Sequence, residues 1–272
     1  DRTPPRSMLG QPNEVRRFAQ SDLGSCLRWE VDRTPRGQGT HRRVGPGVNS
    51  RERSRAAEER LLDARAALRS LAAKRPLFHS EADFQFASAW EAKLQRPDLE
   101  VRLETHPEPA VRLDLELITP AGERGLAVEL KYMTRLWAGM DRGESFALKN
   151  HGASDLRGYD VVKDIHRVER FTLNRPGWAG LVVVLTNDAG WRPRTHGRIT
   201  NADAFGLGEG AVLEGSRAWG TNTGGTSRGR EAALDLRGSY ALTWIDYSSL
   251  GSGPAETFRA LVIEIEGTHD HH

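Results

Sequence analysis

The chain has a single cysteine, Cys26, among its 272 residues. One thiol cannot close an internal disulfide, and it cannot supply the cysteine cluster of a structural zinc site. No run of about eighteen apolar residues occurs, so no segment is expected to span a membrane as a helix. No secretory signal is recognisable, and the expectation is a cytoplasmic protein. The glycines at Gly206, Gly208 and Gly210 follow no predicted strand and no GxxxxGK[ST] is present, which excludes a phosphate-binding loop. Charge of one sign is also lacking: 39 Lys and Arg stand against 37 Asp and Glu, a net +2. The chain as a whole is therefore no polycation, although its basic residues are unevenly placed. Residues 1–56 hold twelve arginines, no lysine and six acids, a balance compatible with a phosphate-rich partner without requiring one.

What the sequence does have is concentrated in residues 111–132, VRLDLELITPAGERGLAVELKY. Two alternating segments flank a Pro-Ala-Gly-Glu-Arg-Gly turn and predict a β-hairpin. Period-2 alternation puts Glu129 and Lys131 on one face, and if the leucines share the core face, Asp114 joins them there. Two carboxylates and an ammonium on neighbouring strands suit a hard divalent cation with a lysine beside its bound water. That is chemistry for phosphodiester hydrolysis.

Asp114 followed after fifteen residues by Glu129-Leu130-Lys131 resembles the D…(D/E)xK signature of the PD-(D/E)xK, or restriction-endonuclease-like, nucleases. A predicted helix carrying Glu81 stands upstream, as in that superfamily, and Leu113 replaces the name-giving proline. The resemblance implies a metal-dependent DNA endonuclease of the kind used in restriction or phage defence. It implies Asp114, Glu129 and the Leu130 carbonyl as ligands of Mg²⁺, with Mn²⁺ substituting, Glu81 completing the site, and Lys131 positioning the attacking water. The same residues would serve an RNA-directed nuclease. A non-catalytic nucleic-acid-binding or assembly module, its acid–lysine cluster a structural ion-pair network, is the alternative of a different class.

Around that hairpin the organisation is as follows. Residues 1–49 are Arg-, Pro- and Gly-rich and predict an arm with little fixed structure. Residues 50–75 form a lead-in helix, with Ala57, Leu61, Ala64, Leu68 and Leu71 on one stripe; such spacing also leaves a homodimer open. Residues 76–267 are the nuclease-like domain, and 268–272 a His-rich tail to which no metal role is given. Ser80 is the N-cap of the next helix, with Asp83 in a capping-box position and Phe86, Ala89, Trp90 and Leu94 or Lys93 as its inward face. Pro97-Asp98 and Glu91-Ala92-Lys93 spell fragments of the signature, but on a loop and on a helix, and neither is assigned a role.

Residues 100–105 predict a first strand and 146–149 a short one. Residues 159–171 form a helix on which Lys163 or Arg167 faces the hairpin to hold phosphate, or else its charges, Asp164 included, make surface ion pairs. Residues 180–186, GLVVVLT, predict a strand buried on both faces. The basic loop 191–198 offers Arg194, His196 and Arg198 as phosphate contacts. The glycine-rich residues 201–230 predict a mobile loop, and 239–247 and 258–266 two strands at a sheet edge. The sum is an α/β fold with a central mixed β-sheet flanked by helices and a restriction-endonuclease-like core over residues 78–186.

Overall fold

The first described element is helix α1, Ala64–Lys74, in a computed structural model that describes residues 60–109, 111–191, 200–221 and 227–267. The arm at 1–49, the first part of the lead-in helix (50–59), Arg194, His196, Arg198 and the tail at 268–272 lie outside the described residues. The periodic Leu61, Ala64, Leu68 and Leu71 are all buried. The helix begins only at Ala64, because Asp63 caps it by accepting the Ala66 N–H at 2.9 Å.

Helix α2, Glu81–Gln95, is capped as the sequence predicts. Ser80 Oγ accepts the Asp83 N–H at 3.2 Å, and the Asp83 carboxylate takes the His79 N–H at 2.9 Å. Its inward face differs from the expected one. Phe84, Gln85, Ala89, Glu91 and Ala92 are buried, whereas Phe86, Trp90 and Leu94 point to solvent. Two apolar stripes compete on this helix, and the one bearing Phe84 also brings polar groups to partners. Phe84 packs on Phe78 with ring centroids 5.1 Å apart, and the buried Glu91 receives Lys74 Nζ at 2.6 Å and Gln95 Nε2 at 3.0 Å. The decoy Lys93 caps the carbonyls of Pro97 and Leu99, and Asp98 pairs with Arg96.

Three strands follow as an antiparallel meander: β1 (Glu100–Glu108), β2 (Val111–Ile118) and β3 (Gly125–Met133). A small hairpin of β4 (Trp137–Asp141) and β5 (Glu144–Leu148) leads to helix α3 (Ser154–Leu173). The helix returns the chain to β6 (Trp178–Thr186), parallel to β3 in unbroken register from Gly125↔Trp178 to Met133↔Thr186. That parallel pair requires a long crossover, and α3 supplies it.

The six-stranded sheet runs β1-β2-β3-β6-β10-β9, with β9 (Trp244–Ser249) at one edge and β10 (Thr257–Ile265) between β6 and β9. Two expectations are corrected here. The stretch expected as one strand at 239–247 is broken at Leu242, whose N–H and C=O are bound by Ala211 and Gly210, and β10 is internal rather than an edge. The glycine-rich region contributes β7 (Val212–Arg217), paired with β8 (Leu234–Ala241) in a separate hairpin.

Both sheet faces are covered. Leu115, Leu117, Leu126, Val128 and Leu130 pack with α1 and α2, while Ala127, Val182 and Val184 pack with Val161, Ile165 and Val168 of α3. The fold is thus α/β with a mixed central sheet and, among the described residues, three α-helices. Gly180 is where α3 lies closest to β6: an added Cβ would overlap Val168 Cγ1 and stand 3.0 Å from Ile265 Cβ. Gly180→Ala is expected to destabilise the fold by about 1–3 kcal/mol, read as a lowered urea midpoint. An unchanged midpoint would mean that the helix shifts freely on the sheet.

Candidate functional site

The site begins with a failure of strand pairing. The β2–β3 ladder runs from Ile118↔Gly125 to Leu115↔Val128 and stops there. Across β2, the β1 residue facing Asp114 is Glu104, held at φ 51, a left-handed conformation rare for a residue with a side chain. The alternation inverts at this kink. Leu115 and Leu117 pack with α1 and α2, but Leu113 packs on the opposite face with Ala127 and α3, so the leucines do not share one core face as expected. Asp114 fills the gap, its Oδ2 accepting the buried Leu130 N–H at 2.7 Å, and a side chain thereby replaces the missing ladder acceptor.

Regular alternation along β3 then turns Glu129 and Lys131 toward α3. Glu129 is 1% exposed, and its Oε1 lies 2.6 Å from Arg167 Nη2 and 3.1 Å from Arg167 Nε. Lys131 Nζ stands 3.0 Å from Asp164 Oδ2, 3.9 Å from Glu129 Oε2, and donates to the Leu130 carbonyl at 3.3 Å. Asp164 also accepts Arg167 Nη2 on Oδ1 at 2.7 Å. From the other side of the sheet, Glu81 at the start of α2 reaches the end of β3, where its Oε2 accepts the Tyr132 N–H at 2.9 Å.

The structure therefore brings together Asp114, Glu129, Lys131, Glu81 and Arg167. It does not bring Lys163, which is exposed on the outer side of α3. It adds Asp164, 4% exposed, which the sequence suggested as a surface ion-pair residue. The signal was present: Asp164 falls three residues after Val161 and four before Val168, on the apolar stripe itself.

Burial shapes the electrostatics. It pushes the Glu129 carboxyl up to about 8, helped by the charges of Asp164 and Asp114 and opposed by Arg167. Burial also raises Asp164 against the pull of Lys131 and Arg167, and raises Glu81 against Lys131. For Lys131 burial acts downward, but Asp164, Glu81, Asp114 and Glu129 outweigh it and hold the ammonium above the usual lysine range. Burial likewise works against the charged form of Arg167, and Asp164 and Glu129 overcome it.

With every group ionised, four carboxylates face two cations and leave two negative charges uncompensated. A divalent cation would neutralise that excess, and oxygen donors are what a hard ion takes. Asp114, Glu129 and Glu81 each commit one oxygen, to Leu130 N–H, Arg167 and Tyr132 N–H, and each has a second oxygen to offer. Among the described residues, though, no three His, Cys, Asp or Glu side chains already converge as a metal-holding group. The donor set fits a divalent ion in kind and charge, while Lys131 and Arg167 supply the compensation.

Comparison of the chain with family models, with curated proteins and with solved structures gives no match.

Two outcomes follow from the geometry. Because the folded Glu129 titrates above the ordinary 4.5, the folded state keeps a proton that the unfolded chain releases between the two values. Stability then falls as pH rises through that window. Without divalent ions, Glu129→Gln is expected to flatten the decline in urea midpoint between about pH 5 and about pH 8.5, and an identical decline in variant and wild type would contradict the burial argument. Asp164→Ala strands Lys131 and Arg167 and is expected to cost about 3 kcal/mol in chemical denaturation. A cost near zero would show that both cations find solvent at once.

Proposed function

We propose that the chain is a divalent-cation-dependent nuclease that hydrolyses phosphodiester bonds in DNA. The observation that carries this is the splayed hairpin, with Asp114 held beside Glu129 and Lys131 and Glu81 entering from α2. The element order supports it. A helix bearing Glu81, a three-stranded meander bearing the acids and the lysine, a crossover helix and a strand parallel to the third resemble the order of a restriction-endonuclease-like core, here over residues 78–186.

Asp114, Glu129, the Leu130 carbonyl and Glu81 would hold Mg²⁺, with Mn²⁺ substituting. The ion, when bound, supplies Lewis-acid polarisation of the phosphate and a more acidic water. The chain's own contribution is charge and orientation. Lys131, kept charged by the carboxylates around it, donates hydrogen bonds to the water and to the phosphate oxygen that gains charge, and it does not act as a proton acceptor. Arg167 is a second cation at the same site, available to a phosphate oxygen. Asp164 touches both cations and positions them. Arg194, His196 and Arg198, outside the described residues, remain proposed as backbone contacts, and Lys163 is placed away from the cluster.

The pairing of Asp164 and Glu129 with Lys131 and Arg167 favours a second reading, a non-catalytic nucleic-acid-binding or assembly module on the same fold. Plasmid cleavage separates the two. Supercoiled DNA with Mg²⁺ or Mn²⁺ is expected to be nicked by the wild type and not with EDTA. Asp114→Ala and Lys131→Ala are expected to lose at least about 10²-fold in rate while retaining the folded circular-dichroism spectrum. Wild-type rates in Lys131→Ala would overturn the site assignment. Cleavage of a matched RNA but not of DNA would move the substrate class to RNA.

A further inference from the structure

Three large apolar side chains of α2 have no place in the core. Phe86, Trp90 and Leu94, four residues apart, are 66%, 71% and 53% exposed. An aromatic side chain presents roughly 150–250 Å², so the stripe offers on the order of 400 Å² of contiguous apolar surface, in the range at which such patches are functional.

Among the described residues, the basic side chains of α2 and those paired with its acids already have partners. Lys93 is bound to two carbonyls, Arg96 to Asp98 and the Leu61 carbonyl, Lys74 to Glu91, and Arg75 to Asp83 through two hydrogen bonds. Nucleic acid stacked on these aromatics would need cations to follow its backbone, and these four would have to break existing bonds to serve. An apolar partner needs none. A row of residues at i, i+4 and i+8 is also a ridge that interdigitates with a copy of itself, and a twofold axis requires only that the patch complement itself. Two stripes together remove about 800 Å² of apolar surface, most of the apolar part of an interface of the standard ~1,600 Å².

We propose that this stripe is a self-association surface, on which α2 of one copy packs against α2 of a second about a twofold axis near Trp90. Phe86 of each copy then meets Leu94 of the other. Self-association stands whether or not the chain is a nuclease.

The test is the mass in solution of the full chain, by sedimentation equilibrium at concentrations of about 1–50 μM, in a range where weak and standard interfaces are told apart. The wild type is expected to be dimeric. Trp90→Glu, and separately Phe86→Ser combined with Leu94→Ser, are expected to weaken the dimer by at least about 100-fold and, since the side chains are exposed, to leave the folded circular-dichroism spectrum unchanged. A monomeric wild type overturns the proposal, as does a dimer whose dissociation constant neither variant changes. So does a monomer whose affinity for single-stranded DNA collapses in Trp90→Ala, which would assign the stripe to base stacking. Loss of plasmid nicking in a variant that remains dimeric would bear on the nuclease reading alone.

Discussion

The buried hydrogen bond from the Leu130 N–H to Asp114 Oδ2 holds β2 against β3 at the point where their backbone ladder has ended. The rest of the site depends on it. Were the ladder to continue, Leu113 would stay on the face of Leu115 and no polar side chain would lie between the strands. The kink, with Glu104 left-handed opposite Asp114, turns Leu113 into the α3 side of the core instead. A residue that terminates pairing and supplies the missing acceptor is doing by side chain what the backbone does elsewhere. Such irregularities cost free energy and persist where surrounding packing enforces them, which is one physical reason to look for function at this position.

From that gap outward the organising quantity is charge. Burying Glu129 and Asp164 would be prohibitive without compensation, and Lys131 and Arg167 supply it from β3 and α3. The compensation is incomplete, since Asp114 and Glu81 add two further carboxylates. A network that only stabilised the fold would gain by balancing itself, because an uncompensated buried charge is costly. The surplus is instead reflected in Glu129, whose carboxyl is pushed up by burial and by the charges of Asp164 and Asp114. A protonated carboxyl is poor as a ligand and becomes a good one when a cation displaces the proton, so an excess of acid is a poised state for a divalent ion.

Much of this was legible in the sequence. Alternation placed the hairpin, the apolar run placed β6, and the Ser80 cap placed the start of α2 and with it Glu81. What escaped did so for physical reasons. Helix α2 has two candidate apolar stripes, and periodicity cannot tell which is buried; the choice rested on partners outside the helix, Phe78, Lys74 and Tyr132. Asp164 escaped because its neighbours at i+3 offered a local ion pair sufficient to explain it, although it sits on the buried stripe. The inversion at Leu113 had no local signal at all, since it arises from the pairing of three strands. The break at Leu242 came likewise from backbone bonds to Gly210 and Ala211.

On the nuclease reading the acid–lysine cluster is a cation site whose carboxylates rest ion-paired with Lys131 and Arg167. Calorimetric titration of Mn²⁺ into the full chain, and into Asp114→Asn, tests it most directly. The account predicts saturable binding near pH 7 accompanied by proton release, measured as a dependence of the heat on buffer ionisation enthalpy, and its loss in Asp114→Asn. Absence of binding in the wild type, or binding that Asp114→Asn leaves unchanged, would contradict it.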